Sequence, residues 1–309
     1  MSSYLTIGTY DGVHLGHQKI IGALVRESLK RGLKSALAYF PLPPKFVFSN
    51  EAENCLITLP AEREERIRRL GVEDITELPF DAALAEMSAE TFFHDVILEA
   101  YSAAGLYVGQ DFAFGKGRRG NTGFLRTRCA AAGIRFKAMS FVTFGDHKIS
   151  SSSIRTFLRN GRVEEANKCL GWKYSVSGKV VRGAGLGRRL GFPTANISAH
   201  PAKILPPGVF TAKVLLDRKV FDGVVNVGRR PTIDSPGGRL TQVSKVYGPP
   251  VMEVHILDFD RDIYGRLLRT EFLRRLRPEH KFSSKEALQR QILQDIGIAR
   301  KYFKTVGSR

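Results

Sequence analysis

Residues 4–32, YLTIGTYDGVHLGHQKIIGALVRESLKRG, combine a short apolar stretch, a glycine-rich turn and an amphipathic segment. The opening YLTI is typical of a buried strand. After the turn, apolar residues follow helical spacing at Ile20, Ile21, Leu24, Val25 and Leu29. Gly32 stands where glycine commonly ends a helix. The stretch therefore predicts a strand, a glycine turn and a helix in that order.

The rest of the first half repeats this order. Strands are predicted at SALAYF (35–40), DITELPF (74–80) and LYVG (106–109), and helices at PAEREERIRRLG (60–71) and AETFFHDVILEAYSAAG (89–105), the latter capped by Ser88. Repeated βα units predict a Rossmann-like α/β domain with a parallel sheet. Ligands bind such sheets beyond the carboxyl ends of the strands.

The second half has a different pattern. Short β-branched segments separated by Gly, Pro and Asp predict a small antiparallel β-barrel, and they are YSVSGKVV, GVFTAKVLLD, KVFDGVVNV and VMEVHILDF. A terminal helix is predicted between Ser283 and Phe303, with one apolar face. We expect domains at 1–158 and 173–309, joined by a linker helix at 159–172.

Charge and cysteine content narrow the class of protein. Of the net charge of +18, residues 172–309 carry +15, from 26 Lys and Arg against 11 Asp and Glu. A basic half attracts nucleotide phosphates, nucleic acid or an anionic membrane, or is simply a solvated surface. The three cysteines are far apart and predict neither disulfides nor a zinc site. With no apolar run long enough to cross a bilayer and no signal peptide, the sequence predicts a cytoplasmic enzyme with no membrane partner.

The segment HLGH (14–17) is the first candidate site. It follows a strand and opens a helix, and a helix N-terminus suits phosphate binding. His14 and His17 would donate to phosphate oxygens as charge builds up at phosphorus. A metal site lacks a third ligand at a recognisable spacing, while a purely structural glycine turn stays open on this motif alone.

Two later segments favour the phosphate interpretation. VGQDFAFGKGRRGN (108–121) supplies an acidic residue, aromatics and a basic glycine loop after a strand, and ISSSSIR (149–155) supplies hydroxyls and Arg155 at another helix start. The serines alone would also fit a helix cap, and Arg155 alone would fit the surface. All three segments follow strands of one sheet, so they read as one site.

The stretch VVRGAGLGRRLGFPTANI (180–197) is the second candidate site. Its glycine loop and arginines suit phosphates, and these residues are Gly183, Gly185, Gly187, Arg188 and Arg189. Thr194 and Asn196 point the same way on an extended chain and offer oxygens to Mg²⁺. In VMEVHILDF (251–259), Glu253 shares a strand face with His255 and is a candidate general base. A barrel turn and a solvent-facing glutamate are the alternatives.

These motifs together resemble the bacterial bifunctional riboflavin kinase/FAD synthetases over nearly the whole chain. The first three segments resemble the FMN adenylyltransferase module, an HxGH nucleotidyltransferase. That resemblance implies ATP-phosphate contacts at Gly8, Asp11, His14, Gly16, His17, Asp111, Ser150, Ser151, Ser152 and Arg155. The chain departs from the family at Phe40-Pro41-Leu42-Pro43-Pro44, where an acidic residue and Pro-His-Pro are usual.

GRRLGFPTAN, NVGRRPT (226–232), MEVHILDF, YGR (264–266) and FLRRLRPEHKFSS (272–284) resemble the family's riboflavin kinase module. The resemblance implies that Thr194 and Asn196 bind Mg-ATP and that Glu253 activates the ribityl hydroxyl. It also implies that Asn226 and Arg277 lie near the flavin or its phosphate, although Arg277 would also fit a solvated helix end. A long loop is expected at 234–250.

We therefore expect a two-step enzyme with ATP, riboflavin, FMN and FAD as substrates or products, and Mg²⁺ as cofactor. One alternative is a riboflavin kinase joined to a weak adenylyltransferase, which would accumulate FMN. The other is a basic RNA-binding or tRNA-charging relative. The latter has little support, because the chain has no KMSKS-like segment and its basic half has no aromatic-rich strand of the RRM type.

Overall fold

A computed structural model describes residues 2–48, 53–183, 185–231 and 247–307 of the chain. The chain forms two compact units, Met1–Ile154 with Cys169–Gly171, and Arg155–Lys168 with Trp172–Arg309. Across these described ranges, no helix has both the length and the apolar character needed to cross a membrane.

The first unit alternates strands and helices. Its strands are β1 (Ser3–Gly8), β2 (Lys34–Tyr39), β3 (Asp74–Glu77), β4 (Ala103–Gly109), β5 (Ala113–Phe114), β6 (Gly120–Asn121), β7 (Arg135–Met139), β8 (Thr143–Phe144) and β9 (His147–Lys148). Its helices are α1 (Leu15–Arg31), α2 (Pro44–Val47), α3 (Pro60–Arg69), α4 (Ala82–Glu86), α5 (Ala89–Thr91) continued by a π-helix (Phe92–Ala100), a 3₁₀ turn (Lys116–Arg118) and α6 (Thr122–Ala131). Helices α7 (Ser151–Arg159) and α8 (Val163–Leu170) follow.

A five-stranded sheet in the order β3-β2-β1-β4-β7 is the centre of this unit. Every neighbouring pair is parallel, which confirms the α/β prediction. Alternate residues of β2 show how both faces are covered: Ala36 and Ala38 pack into one apolar cluster, and Leu37 and Tyr39 pack into another. The sheet is therefore buried on both sides, as parallel sheets generally are.

The predicted helix boundaries are partly correct. Gly32 ends α1 with φ 62°, and its N–H donates to the carbonyls of the last turn. Ser88 caps α5 by accepting a hydrogen bond from the Thr91 N–H. The prediction that the helix reaches residue 105 is wrong, because the helix ends at Ala100 and β4 already begins at Ala103. Ser102 has φ 44° at this junction, a left-handed conformation that a helix does not continue.

The second unit is built on a closed barrel with the strand order β10-β11-β14-β13-β12-β15. The strands are β10 (Ser175–Val181), β11 (Ala195–Ala199), β12 (Gly208–Leu216), β13 (Lys219–Pro231), β14 (Tyr247–Ile256) and β15 (Leu267–Arg277), with α9 (Leu186–Arg189) before β11 and α10 (Lys285–Gly307) at the end. All barrel pairs are antiparallel. The predicted barrel and terminal helix are confirmed.

Strand β15 was not predicted. Its alternate residues Leu268, Thr270 and Phe272 are fully buried, and Phe272 meets Phe210 edge to face at 5.3 Å between ring centroids. The predicted loop at 234–250 is wrong at 247–250, which belong to β14. Its residues 234–246 lie outside the described residues.

Candidate functional site

A cavity of about 250 Å³ opens at the carboxyl ends of β1, β4 and β7 in the first unit. Three adjacent strands therefore contribute to one pocket, at the edge where parallel sheets bind ligands. The predicted site residues that line it are Gly8, His14, Gly16, His17, Asp111, Ser150 and Ser151. The three sequence segments thus meet at one cavity.

The two histidines lie at the start of α1. His14 is its N-cap, and its Nδ1 accepts a hydrogen bond from the His17 N–H at 3.3 Å. The two rings stack with 3.6 Å between centroids. Gly16 leaves room for the His14 ring, since a Cβ at this position would lie 3.0 Å from His14 Cε1, closer than ordinary van der Waals contact. The helix N-terminus and both imidazoles consequently face the same cavity.

Tyr10 packs against the histidine pair. Its ring lies 4.9 Å from that of His17, and its hydroxyl is hydrogen-bonded to Thr6 Oγ1. Burial raises the pKa of the Tyr10 phenol well above its usual range. Tyr10 therefore remains a neutral group beside the imidazoles.

Asp11 does not line the cavity. Its carboxylate is fully buried and accepts hydrogen bonds from the backbone N–H groups of Ile57 and Thr58 at 2.9–3.1 Å. It also pairs with the fully buried guanidinium of Arg63 at 3.5 Å. The Asp11 carbonyl accepts a hydrogen bond from Ser151 Oγ at 2.8 Å. Asp11 thus connects three loops instead of presenting a charge to the cavity.

Arg63 is a structural residue that no sequence pattern distinguishes. Its Nη1 donates to the Thr9 carbonyl at 2.9 Å and to the Phe40 carbonyl at 2.7 Å. Nη2 donates to the Thr58 carbonyl at 3.1 Å. The buried guanidinium of Arg63 therefore forms hydrogen bonds to both the loop after β1 and the loop after β2.

We expect Arg63→Met to lower the free energy of unfolding of the first unit by about 3 kcal/mol, because it leaves the buried Asp11 carboxylate without its cation. Thermal and denaturant unfolding would measure the loss. Arg69→Met is the matched control, since Arg69 lies on the same helix in an exposed pair with Glu65. Equal stability of the two variants would contradict a central role for Arg63.

Two other predicted residues lie outside the cavity lining. Ser152 is exposed on α7, and Arg155 is buried at 4% exposure on the same helix. Ser150 also caps α7, because its Oγ accepts the Ser153 N–H at 3.1 Å. The serine segment thus combines a capping role with two residues that line the cavity.

In the second unit, the barrel register brings distant residues into one row. Asn196 pairs with Glu253, Glu253 with Asn226, Asn226 with Val209, and Val209 with Arg277. Directly paired residues lie on the same face of a sheet. The row crosses five strands, and all five residues line one cavity of about 410 Å³.

A smaller cavity of about 200 Å³ adjoins this one. The two share Gly185, Thr194 and Asn196 in their linings, while Glu253 lines only the larger cavity and Arg188 only the smaller. The PTAN segment (residues 193–196) therefore lies at the junction between the two cavities. That arrangement suits a site where two substrates meet.

Close approach explains two of the glycines in the neighbouring loop. A side chain at Gly183 would overlap the Asn196 amide, and a Cβ at Gly187 would lie 2.9 Å from Thr194 Oγ1. Both glycines let the loop backbone pack against the polar residues of the PTAN segment. The predicted glycine loop and the predicted oxygen ligands thus belong to one site.

Arg277 lies at the end of strand β15, so the alternative of a solvated helix end is wrong. Its Nε and Nη2 reach the Asp295 carboxylate of α10 at 2.9–3.2 Å. Asp295 is buried at 3% exposure and also accepts a hydrogen bond from Gln291 at 3.0 Å. Arg277 Nη1 donates to the Pro278 carbonyl and contacts His280 Nδ1. Asp295 was not selected from the sequence, since nothing local marks it as the partner of Arg277.

The resemblance implies that Arg277 lies near the flavin. We therefore expect Asp295→Asn, which removes the charge that orients Arg277, to raise the KM for riboflavin about tenfold, equivalent to about 1.4 kcal/mol. Steady-state kinetics with varied riboflavin would measure it, with kcat changing less than KM. Asp258→Asn is the control, because Asp258 forms an exposed ion pair with Arg300, and Arg300 lies on α10 as Asp295 does. If both variants behaved alike, the orientation of Arg277 would not matter for binding.

Comparison with known proteins also divides the chain into two parts. A family model described as FAD synthetase matches residues 1–153, and one described as riboflavin kinase matches residues 170–303. A bifunctional riboflavin kinase/FMN adenylyltransferase of Bacillus subtilis is 34% identical over 98% of this chain and 93% of its own length. One from Escherichia coli is 34% identical over 97% of this chain and 92% of its own length.

A solved structure described as a macrolide-efflux protein from Streptococcus pneumoniae is similar to this chain. Its TM-score is 0.84 at 29% identity, covering 97% of this chain and 94% of that one. The similarity therefore extends over both units of the chain.

The matches define a class of two-module enzymes in which one chain carries a kinase and a nucleotidyltransferase. The chain belongs to the bifunctional riboflavin kinase/FMN adenylyltransferase family. It has both activities and makes FMN and FAD, which confirms the function predicted from the sequence. The family uses ATP.

Proposed function

We propose that riboflavin is phosphorylated in the barrel unit, with riboflavin in the larger cavity and ATP in the smaller. The Glu253 carboxylate takes the proton of the ribityl 5′-hydroxyl. The hydroxyl oxygen forms a bond to the γ-phosphorus of ATP as the bond to the bridging oxygen breaks. The products are FMN and ADP.

The single observation that carries this proposal is the row across the barrel. Glu253 stands directly between Asn196 and Asn226 on adjacent strands. A base in this position has Asn196, which we propose binds Mg-ATP, on one side. On the other side it has the amide of Asn226, which we propose lies near the flavin. Arg277, held by Asp295, would orient the flavin at the far end of the row.

The residues at the cavity junction fit Mg²⁺. Thr194 and Asn196 offer neutral oxygens, which Mg²⁺ accepts beside phosphate oxygens and water. Among the described residues, no group of three or more His, Cys, Asp and Glu side chains is placed to hold a metal ion. We therefore propose that Thr194 and Asn196 would hold Mg²⁺ together with oxygens of ATP, and that the ion would supply neutralisation of the phosphate charge. Gly183, Gly185, Gly187 and Arg188 would hold the nucleotide phosphates.

For the first unit we propose adenylyl transfer to FMN. An FMN phosphate oxygen attacks the α-phosphorus of ATP, and pyrophosphate leaves. His14, His17 and the N-terminus of α1 stabilise the negative charge that builds up at the α-phosphate. Gly8, Gly16, Asp111, Ser150 and Ser151 would surround the nucleotide. Asp11 would act indirectly by holding the loops, and we retain Ser152 as a flanking residue of the triphosphate.

One incubation tests both steps. The protein is mixed with riboflavin, ATP and Mg²⁺, and the flavins are separated by chromatography over time. FMN should appear first and FAD should follow, and omission of Mg²⁺ should stop FMN formation. Accumulation of FMN without FAD would favour the second candidate, a kinase with a weak adenylyltransferase, which the Phe40-Pro41 departure suggests.

We also propose the domain limits 1–158 and 173–309 with a linker at 159–172, and a reducing, cytoplasmic setting. The latter is supported by the three cysteines, which are all buried free thiols.

A further inference from the structure

Strand β14 carries a histidine that no sequence motif explains. His255 follows Glu253 by two residues and lines the same larger cavity, and the sequence indicates only that the two share a strand face. The residue paired with His255 on β13 is Val224, which also lines this cavity. His255 therefore belongs to the row of residues that lies beside the row containing Glu253.

The first half of the PTAN segment lies outside the barrel ladder. Pairing between β11 and β14 begins at Ala195 and Val254, so Pro193 and Thr194 precede the paired part of β11. The ladder of a strand fixes both the path of the chain and the direction of its side chains. The direction of the Thr194 hydroxyl, which we propose holds Mg²⁺, therefore has to be set by other contacts.

His255 supplies two such contacts. Its Nδ1 lies 2.9 Å from the Pro193 carbonyl oxygen, and because a carbonyl oxygen only accepts, Nδ1 carries the hydrogen and donates it. The Phe192 ring meets the imidazole edge to face, with 6.2 Å between ring centroids. One side chain of β14 thus contacts both of the residues that immediately precede Thr194.

We propose that His255 is a positioning residue of the kinase, which holds the Pro193 carbonyl so that Thr194 faces Mg-ATP. This inference rests on the proposed binding of Mg-ATP by Thr194 and Asn196. Asn196 is held through its direct pairing with Glu253, and Thr194 is held through the imidazole two residues further along β14. Both proposed ligands are therefore fixed by the same strand, one through strand pairing and the other through a side chain.

Three substitutions separate the Nδ1 contact from the rest of the imidazole. An asparagine amide N–H reaches about the position of the histidine Nδ1–H, a glutamine amide reaches that of Nε2, and a phenylalanine keeps the ring without a donor. We expect His255→Phe and His255→Gln to raise the KM for Mg-ATP in riboflavin phosphorylation about tenfold, and His255→Asn to stay within about threefold of the wild type. The KM for riboflavin and the adenylylation of supplied FMN should change less than about twofold.

Binding without turnover is measured through Trp172, the one tryptophan of the chain, which belongs to the barrel unit. Its fluorescence follows thermal unfolding of that unit with ADP, in the presence and absence of Mg²⁺. A ligand that binds the folded unit raises its Tm by an amount that grows with affinity. Mg²⁺ should strengthen the stabilisation by ADP in the wild type and in His255→Asn, and much less in His255→Phe. A purely structural role would lower the Tm equally with and without Mg²⁺.

His200→Phe is the matched control, because His200 is an exposed histidine of the barrel unit whose Nδ1 accepts the Ala202 N–H. It should keep the wild-type KM values. An unchanged KM for Mg-ATP in a folded His255→Phe chain would overturn the proposal, as would a His255→Asn chain that is no better than His255→Gln. If His255→Phe does not fold, His255→Gln and His255→Asn are compared under the same criteria. Failure of the proposed metal site itself would appear separately, as Mg²⁺-dependent stabilisation by ADP that survives Thr194→Val.

Discussion

Glu253→Gln is expected to abolish FMN formation, lowering kcat for riboflavin phosphorylation by about 10³-fold, within the range attributed to a general base. The glutamine keeps the size and hydrogen-bonding capacity of the side chain but cannot accept the proton of the ribityl hydroxyl. Supplied FMN should still be converted to FAD at the wild-type rate. Chromatographic measurement of both flavins in one assay series separates the two results.

Glu271→Gln is the matched control for this variant. Glu271 also lies on a barrel strand, β15, and pairs with Arg269 at 3.3 Å, but it is not part of the cavity lining. It should retain FMN formation. Substantial kinase activity in Glu253→Gln would remove Glu253 as the base, and a loss of both activities in a folded Glu253→Gln chain would contradict two separate sites.

The strand-and-helix order of the first unit was predictable because its signals are local. The apolar pattern of residues 4–32 specifies a strand followed by a helix, and the glycine at position 32 specifies where that helix ends. Neither signal depends on the rest of the chain. Strand β15 also carried such a signal in the alternation of Leu268, Thr270 and Phe272. It was missed because the arginine-rich run RRLR (274–277) that follows Phe272 resembles the charged end of a helix.

The contacts that complete the sites depend on pairing between distant segments. Asn196, Asn226 and Glu253 become neighbours only through the register of three barrel strands, which no local pattern contains. Arg63 lies in PAEREERIRR, where nothing distinguishes it from the exposed arginines of the same helix. Its role is visible only when the buried Asp11 carboxylate is found opposite it.

His17→Ala is expected to have the reverse effect of Glu253→Gln. FAD formation from supplied FMN should fall by about 10²–10³-fold, as for the loss of one preorganised donor in other enzymes, while FMN formation continues. The reason is that His17 lies in the first turn of α1, stacked on His14 and directed to the cavity, so its loss removes a donor without removing the helix N-terminus.

His94→Ala is the control for that variant, because His94 is an exposed histidine of the same unit that contacts Asp95 and Glu99. It should retain both activities. Assays with ATP well above its KM distinguish lost charge stabilisation, which lowers kcat, from weakened ATP binding, which raises KM. A kcat for FAD formation in His17→Ala equal to that of His94→Ala would show that adenylyl transfer does not depend on the imidazole, and the site would then have to be sought away from the start of α1.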